Sequence, residues 1–452
     1  MMKLRVLFPS LLLLCLFAQL PAKAQSTQTT LESETAAVNA EPSQQNFMRP
    51  ALALRSVSME LTAGRIGEAT QLLKTRSART PRTVESFKFV TLAALDLETD
   101  EIELLPLSKE LFLTRGALIT AQTSTGHTAL VTVQRANGVN TAVTVQDTET
   151  RHQLVPLVVE YPIEKSGELR EMAYYTSVHP ALLSPQTVTG GETYIRTMLD
   201  RAAERLRAGG VEIAPDIVDV AEHLCVVEHT DHKRFLNEDR SALFDEIYSL
   251  YALNEPNTFR YSVSTAGAGG MVQMIPQTYQ MVRERHPNIS LNTDFVGGMT
   301  SHDNALAAML LYMQDTWNDL RRSPEVQNAL DTGIATEPEL VAAGYNSNPA
   351  RLPQYLRRGG ALWRTLIPTE TQMYLQIYNS LDGLVAFHPR AAKQPSVLAA
   401  NDNNSGNTVL GTYANQLPRT AANTIAARLA QLLPALSNQL WLNGSLLMHG
   451  LH

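Results

Sequence analysis

The 452-residue chain is poor in cysteine, holding only Cys15 and Cys225. Two thiols exclude a disulfide-stapled scaffold and a cysteine-rich zinc module. Charge is sparse as well: 18% of residues are charged, the formal net charge is −7, and Lys and Arg form no block. That balance leaves no electrostatic footprint for nucleic acid, and no nucleic-acid partner is expected. Beyond residues 6–20, no run is long and apolar enough to span a bilayer. What is present in quantity is apolar mass: 44% of residues are hydrophobic, too many for wholesale disorder. The length predicts about two or three domains.

The N-terminus reads as an address. Lys3 and Arg5 precede the apolar run Val6–Leu20, which exits through Pro21-Ala22-Lys23-Ala24. Small residues at the two positions a signal peptidase reads predict a signal peptide over residues 1–24, cleaved after Ala24. Leu14 precedes Cys15 where a lipoprotein signal takes a small residue, so no lipid anchor is expected. The expectation is a periplasmic or secreted protein without a stable membrane anchor after cleavage.

Residues 25–50 are rich in Ser, Thr, Gln and Glu and read as a disordered leader. Over 51–104 a short helical region is expected, because Leu61, Ile66, Ala69, Leu72 and Leu73 recur at helical spacing. The period drops to two over 105–190. There Leu130-Val131-Thr132-Val133 and Thr141-Ala142-Val143-Thr144-Val145 flank Asn137-Gly138, a pair suited to a tight hairpin. Leu154–Tyr161 adds a third apolar run. A small, separately folded antiparallel β-domain follows, one that affects where the protein binds rather than any bond-breaking step. Over 191–384 the pattern is helical: a helix opens at Pro215-Asp216, and others cover Leu243–Leu253, Pro276–Arg285, Asp303–Leu320 and Glu337–Tyr345. Residues 385–452 read as a low-complexity tail with a last helix near Thr424–Leu442.

Chemistry concentrates in the helical part, in four segments: Leu224-Cys225-Val226-Val227-Glu228; Ser264-Thr265-Ala266-Gly267-Ala268-Gly269-Gly270-Met271-Val272-Gln273 with Pro276 after it; Ala342-Ala343-Gly344-Tyr345-Asn346; and Ile367-Pro368-Thr369-Glu370-Thr371-Gln372-Met373-Tyr374. A glutamate closing an apolar helix and facing a cleft is desolvated, and desolvation raises its pKa toward the range of a general acid. A Gly-rich turn lets backbone approach a sugar closely. Gln273 and Asn346 are neutral donor–acceptors suited to an N-acetyl group.

In this order and spacing the four segments resemble the catalytic domain of lytic transglycosylases of the soluble (SLT) type. The resemblance covers roughly residues 210–382. It implies an α+β multidomain protein in which a mainly helical, lysozyme-like catalytic domain follows the small antiparallel β-domain. The implied reaction cleaves the bond between MurNAc and GlcNAc in peptidoglycan glycan strands without water. A single glutamate is acid and then base, the N-acetyl group assists, a 1,6-anhydro end is left, and no cofactor or metal is required. Mapped onto this chain, the catalytic residue is Glu228 or Glu255, and the substrate contacts are Ser264, Met271, Gln273, Tyr345 and Asn346. Glu255 lies 18 residues before Gln273, close to the usual spacing, but Pro256 follows it. Glu228 lies 45 residues before Gln273 and is followed by His229 where the family has serine. Glu228 is preferred, because a related membrane-bound family tolerates helices inserted between acid and glutamine. Two other outcomes stay open: a scaffold of the same fold that binds glycan without cleaving it, and a hydrolytic lysozyme.

The remaining candidates have blander expectations. Glu222, His223, Glu228, His229 and His232 lack the order of a zinc motif and read as solvated or supporting groups. Cys225 sits on an apolar face and reads as a buried thiol. Met271, Met274 and Met281 recur at helical spacing, which favours core positions. Asn304 suits a cap or packing role, and Glu370 and Tyr374 a structural one.

Overall fold

A computed structural model describes residues 59–79, 87–165 and 167–390. The signal, the leader and the helix expected near Thr424–Leu442 fall outside the described residues. Helix α1 (Met59–Arg79) leads into seven antiparallel strands: β1 (Phe89–Asp96), β2 (Ile102–Ser108), β3 (Leu118–Gln122), β4 (Thr128–Arg135), β5 (Ala142–Asp147), β6 (Gln153–Lys165) and β7 (Glu168–Tyr175), with a one-turn helix α2 (Lys109–Phe112) after β2. The order across the sheet is β2-β1-β6-β5-β4-β3, and β7 pairs with the far end of β6. The sheet curls until its outer strands meet: Leu104 N–H of β2 donates to Ser124 Oγ, and Glu103 accepts from Ser124 Oγ and Thr125 Oγ1 at 2.8 and 2.6 Å.

Two expectations for this region are corrected. The helical region does not run to 104: it ends at Arg79, and β1 and β2 occupy residues 89–108. Strand β1 hid because seven of its eight residues are buried, so it lacks the alternation of a half-exposed strand. Its second face is covered by Ala69 and Leu73 of α1. Asn137-Gly138 does lie between two paired strands, but not in a two-residue turn. Gly138–Asn140 makes a 3₁₀ turn, closed by Thr141 Oγ1 donating to the Gly138 carbonyl.

Helix α3 (Pro185–Ala208) starts the helical part, earlier than the period change suggests. Ser184 and Thr187 form a capping box before its first turn, with Pro185 just inside. There follow α4 (Pro215–Val227), α5 (His232–Asn237), α6 (Arg240–Leu253), α7 (Pro276–Arg285), α8 (Phe295–Thr300), α9 (His302–Leu320), α10 (Pro324–Asp331), α11 (Glu337–Asn346), α12 (Leu352–Gly359) and α13 (Thr369–Leu384). Helix α9 runs through the middle, with Ala305 to Leu311 all at 0% exposure, and α4 is buried almost as completely. Both bury apolar residues around most of their circumference, as interior helices must. Among the described residues no helix is long and apolar enough to cross a membrane.

The β region is not a separate unit. The described residues cluster as one body, and Leu250 of α6 belongs to the sheet's own core, with Leu253, Phe259 and Tyr261 packed against it. Asn254 clamps the end of β7: its Oδ1 accepts from Thr176 N–H at 2.7 Å and its Nδ2 donates to Thr176 O at 2.8 Å. Arg135 of β4 and Arg234 of α5 share Glu246 of α6. At the other end, Phe387 stacks on His223 at 3.6 Å, and Arg390 pairs with Asp200, Asp219 and Glu222. Residues 385–390 thus belong to the helical body rather than to a tail.

Candidate active site

Glu228 is the C-cap of α4. The apolar sequence Val220–Val227 drives that helix into the core, so its last residue emerges at the wall of a cleft of about 930 Å³. Half-buried there, the Glu228 carboxyl is pushed up to about 8 by desolvation, opposed by a hydrogen bond from Tyr374 and reinforced by the negative charge of Glu370. Its place at the negative end of the α4 dipole favours the same neutral form. Tyr374 Oη donates to Glu228 Oε1 at 2.7 Å, across from α13.

The Gly-rich segment forms the facing wall as a tight curl, with bridges from Val263 to Gly269 and from Gly269 to Met274. Gly270 sits at φ +69°, and a Cβ there would lie 2.2 Å from the Met299 carbonyl oxygen. Only glycine fits, which explains that residue of the motif. Gln273, at φ +46°, donates both amide hydrogens, to Ser262 Oγ at 3.2 Å and to Gly270 O at 2.7 Å. What it can offer the cleft is its carbonyl oxygen. Ser264 Oγ accepts from Ala268 N–H at 3.0 Å and lines the same cleft. Asn346, at the end of α11, lines it too, and its Oδ1 is buried without a partner. An orphaned acceptor beside a cleft awaits a donor from whatever enters.

The cleft brings together Glu228, Ser264, Gln273, Tyr345 and Asn346. Tyr345 does not touch the acid; its Oη donates to Val272 O at 2.6 Å and so ties α11 to the Gly-rich curl. Met271 corrects the expectation of a substrate contact: at 0% exposure it is core. The core position that the methionine spacing favours holds for Met271, which precedes α7 in the curl, and fails for Met281, which lies in that helix, is exposed and reaches the cleft. Glu255 is exposed at the turn after α6 and does not line the cleft. The residue that sequence reading undervalued is Tyr374. Its signal was present, four residues after Glu370 on one helix face in the fourth segment, but only the packing of α13 on α4 shows what it holds. Asn304 is a packing anchor: its Nδ2 donates to Tyr279 Oη and Gly298 O, and its Oδ1 accepts from Asn292 N–H.

The carboxylate–imidazole cluster disperses. His223 faces away from the cleft, with Nε2 3.0 Å from Asp382 Oδ1, and Glu222 pairs with Arg196 and Arg390. Burial pushes His229 down to about 3, so the ring is neutral, and its Nε2–H donates to Met271 O at 2.9 Å. Burial raises the Cys225 thiol far out of the reactive range. Among the described residues no three His, Cys, Asp or Glu side chains are arranged to hold a metal.

The arrangement is that of a carboxylic acid kept neutral by burial and hydrogen-bonded by one phenol, opening on a cleft edged with amide side chains. Compared with known proteins, the chain matches no family model, no curated protein and no solved structure.

Proposed function

We propose that the protein is a peptidoglycan lytic transglycosylase with a lysozyme-like helical body, acting outside the cytoplasm after signal cleavage. The observation that carries this reading is Glu228: a carboxyl kept neutral to about pH 8, held by Tyr374, in the wall of a cleft that also presents Gln273 and Asn346. A neutral acid near pH 7 can protonate the glycosidic oxygen as the bond from C1 breaks. The resulting carboxylate accepts the Tyr374 hydrogen bond, which strengthens as charge develops. The same carboxylate then removes the proton of the C6 hydroxyl as that oxygen closes on C1, so the acid is restored and no water is consumed. The Gln273 carbonyl and the unpartnered Asn346 oxygen suit the N–H of an N-acetyl group.

One observation favours a second reading, hydrolysis. Glu370 lines the same cleft and its charge acts on Glu228. A second carboxylate of this kind is how most glycosidases activate water or form a covalent intermediate. Digestion of purified sacculi followed by mass spectrometry separates the outcomes. Anhydro-muropeptides are expected; reducing ends support hydrolysis, and intact strands from a protein that still binds them support a scaffold. Glu228→Gln is expected to lower cleavage by at least ~10²-fold while glycan binding survives. Full activity in that variant, with loss in Glu255→Gln, would move the acid to Glu255.

A further inference from the structure

The loop between α6 and the Gly-rich curl joins three parts of the molecule. At its centre Phe259 has φ +56°, a left-handed backbone that a bulky residue rarely adopts. Such a conformation persists only where the surroundings over-determine it, and here they do. Thr258 Oγ1 donates to the Leu250 and Tyr251 carbonyls, and the Thr258 carbonyl accepts from His302 Nε2–H at 2.8 Å. Arg260 pairs with Glu171 of β7. The Tyr175 phenol, fully buried in the sheet's core, shares a hydrogen bond with the Phe259 backbone. The Phe259 ring packs against both the sheet's core and the helical core. It also lies flat on His229, with centroids 3.5 Å apart and planes 4° from parallel. His229 is the residue after Glu228, and it is hydrogen-bonded to the Gly-rich curl at Met271 O.

We infer that Phe259 is a positioning residue through which the β-sheet half of the molecule fixes Glu228 and the Gly-rich curl relative to each other. The inference rests on the functional reading above and deepens it: the sheet is a support of the acid. Among the described residues none before Val227 lines the cleft, so the sheet acts on the site through such a relay. Stacking on His229 keeps the last turn of α4 closed to water. The groups that act on Glu228 are Tyr374 and Glu370 from α13, and Tyr345 from α11 and Cys225 from its own helix feel its charge. His232, Arg285 and Asp319 line the same cleft. None of these is on the loop, so a change at Phe259 reaches Glu228 through His229 and through water.

The test is a titration of the Glu228 carboxyl by carbon-13 NMR in the full chain, assigned by comparison with Glu228→Gln, together with kcat and KM on sacculi. Phe259→Leu, which keeps apolar bulk but loses the flat ring, is expected to lower the Glu228 pKa by about one unit as water enters. It is expected to cut kcat roughly tenfold with KM little changed, and Phe259→Tyr to restore both. A folded Phe259→Leu protein with unchanged titration and kcat overturns the inference. Should that variant fail to fold, Tyr175→Phe decides: a downward shift at Glu228 supports the relay and an unchanged titration overturns it. If the wild-type protein cleaves no glycan while the Glu228 titration still follows Phe259, the relay stands and the functional reading falls.

Discussion

At the scale of single residues, the site turns on how little holds the Glu228 charge. Desolvation favours the neutral acid and, among the described residues, Tyr374 alone donates to the carboxyl. Tyr374→Phe removes that donor, so the pKa rises further and the high-pH limb of the activity profile moves upward. The loss of a charge-assisted bond, worth about 1.5–3 kcal/mol, is expected to lower kcat about 10- to 100-fold, which a pH–rate series checks. A raised carboxyl pKa also has a sign for stability. Between the ordinary carboxyl value of 4.5 and about 8 the folded state keeps a proton that the unfolded chain has lost. Stability therefore falls as pH rises through that window and is fully reduced above it. Glu228→Gln removes the penalty and is expected to stabilise the protein by roughly 1–3 kcal/mol at pH 8, with little gain at pH 4. Denaturant melts at the two pH values measure the difference.

At the scale of elements, most of what positions the site was legible. The Pro276–Arg285 helix follows from its proline start and basic last turn, and α9 and α11 fall within one residue of their expected limits. The Gly-rich curl was legible as a turn, but not the reason for each glycine. Gly270 faces the Met299 carbonyl of α8, a contact between segments distant in sequence. Gly270→Ala is expected to destabilise the curl by about 1–3 kcal/mol and to impair cleavage more than Gly267→Ala, where a Cβ meets nothing. Circular dichroism melts beside activity assays distinguish the two. Strand β1 was harder to read, since an element buried on both faces shows no period, whereas the apolar run Leu154–Tyr161 was legible as part of β6. The hydrogen bond from Tyr374 to Glu228 was illegible for a related reason: it joins residues 146 positions apart, and one sequence carries no record of such pairs.

At the scale of the whole molecule, the change from period two to helical period suggested a boundary that the packing does not respect. The sheet shares Leu250 with α6, clamps Asn254 and meets α4 through Phe259 and His229. A chain beginning at Pro185 would expose those apolar residues and leave Glu246 without Arg135. It is expected to lose at least several kcal/mol of stability and to bind a hydrophobic dye, seen by fluorescence and by a lowered thermal midpoint. A truncated chain as stable as the parent would show that the shared core is dispensable.

Cys225, one turn before Glu228, is the free cysteine among the described residues and is sealed inside the helical core. Its silence makes it a clock. A thiol reagent can reach it only when α4 separates from the helices packed on it, so the labelling rate counts openings of the helical body, much as amide exchange counts openings of a backbone. Corrected for the reagent's own pH dependence on unfolded chain, that rate should climb between pH 5 and 8 as the proton on Glu228 becomes harder to keep. In Glu228→Gln it should stay level, so that one buried sulfur reports, in seconds per opening, what the charge of its neighbour costs the fold.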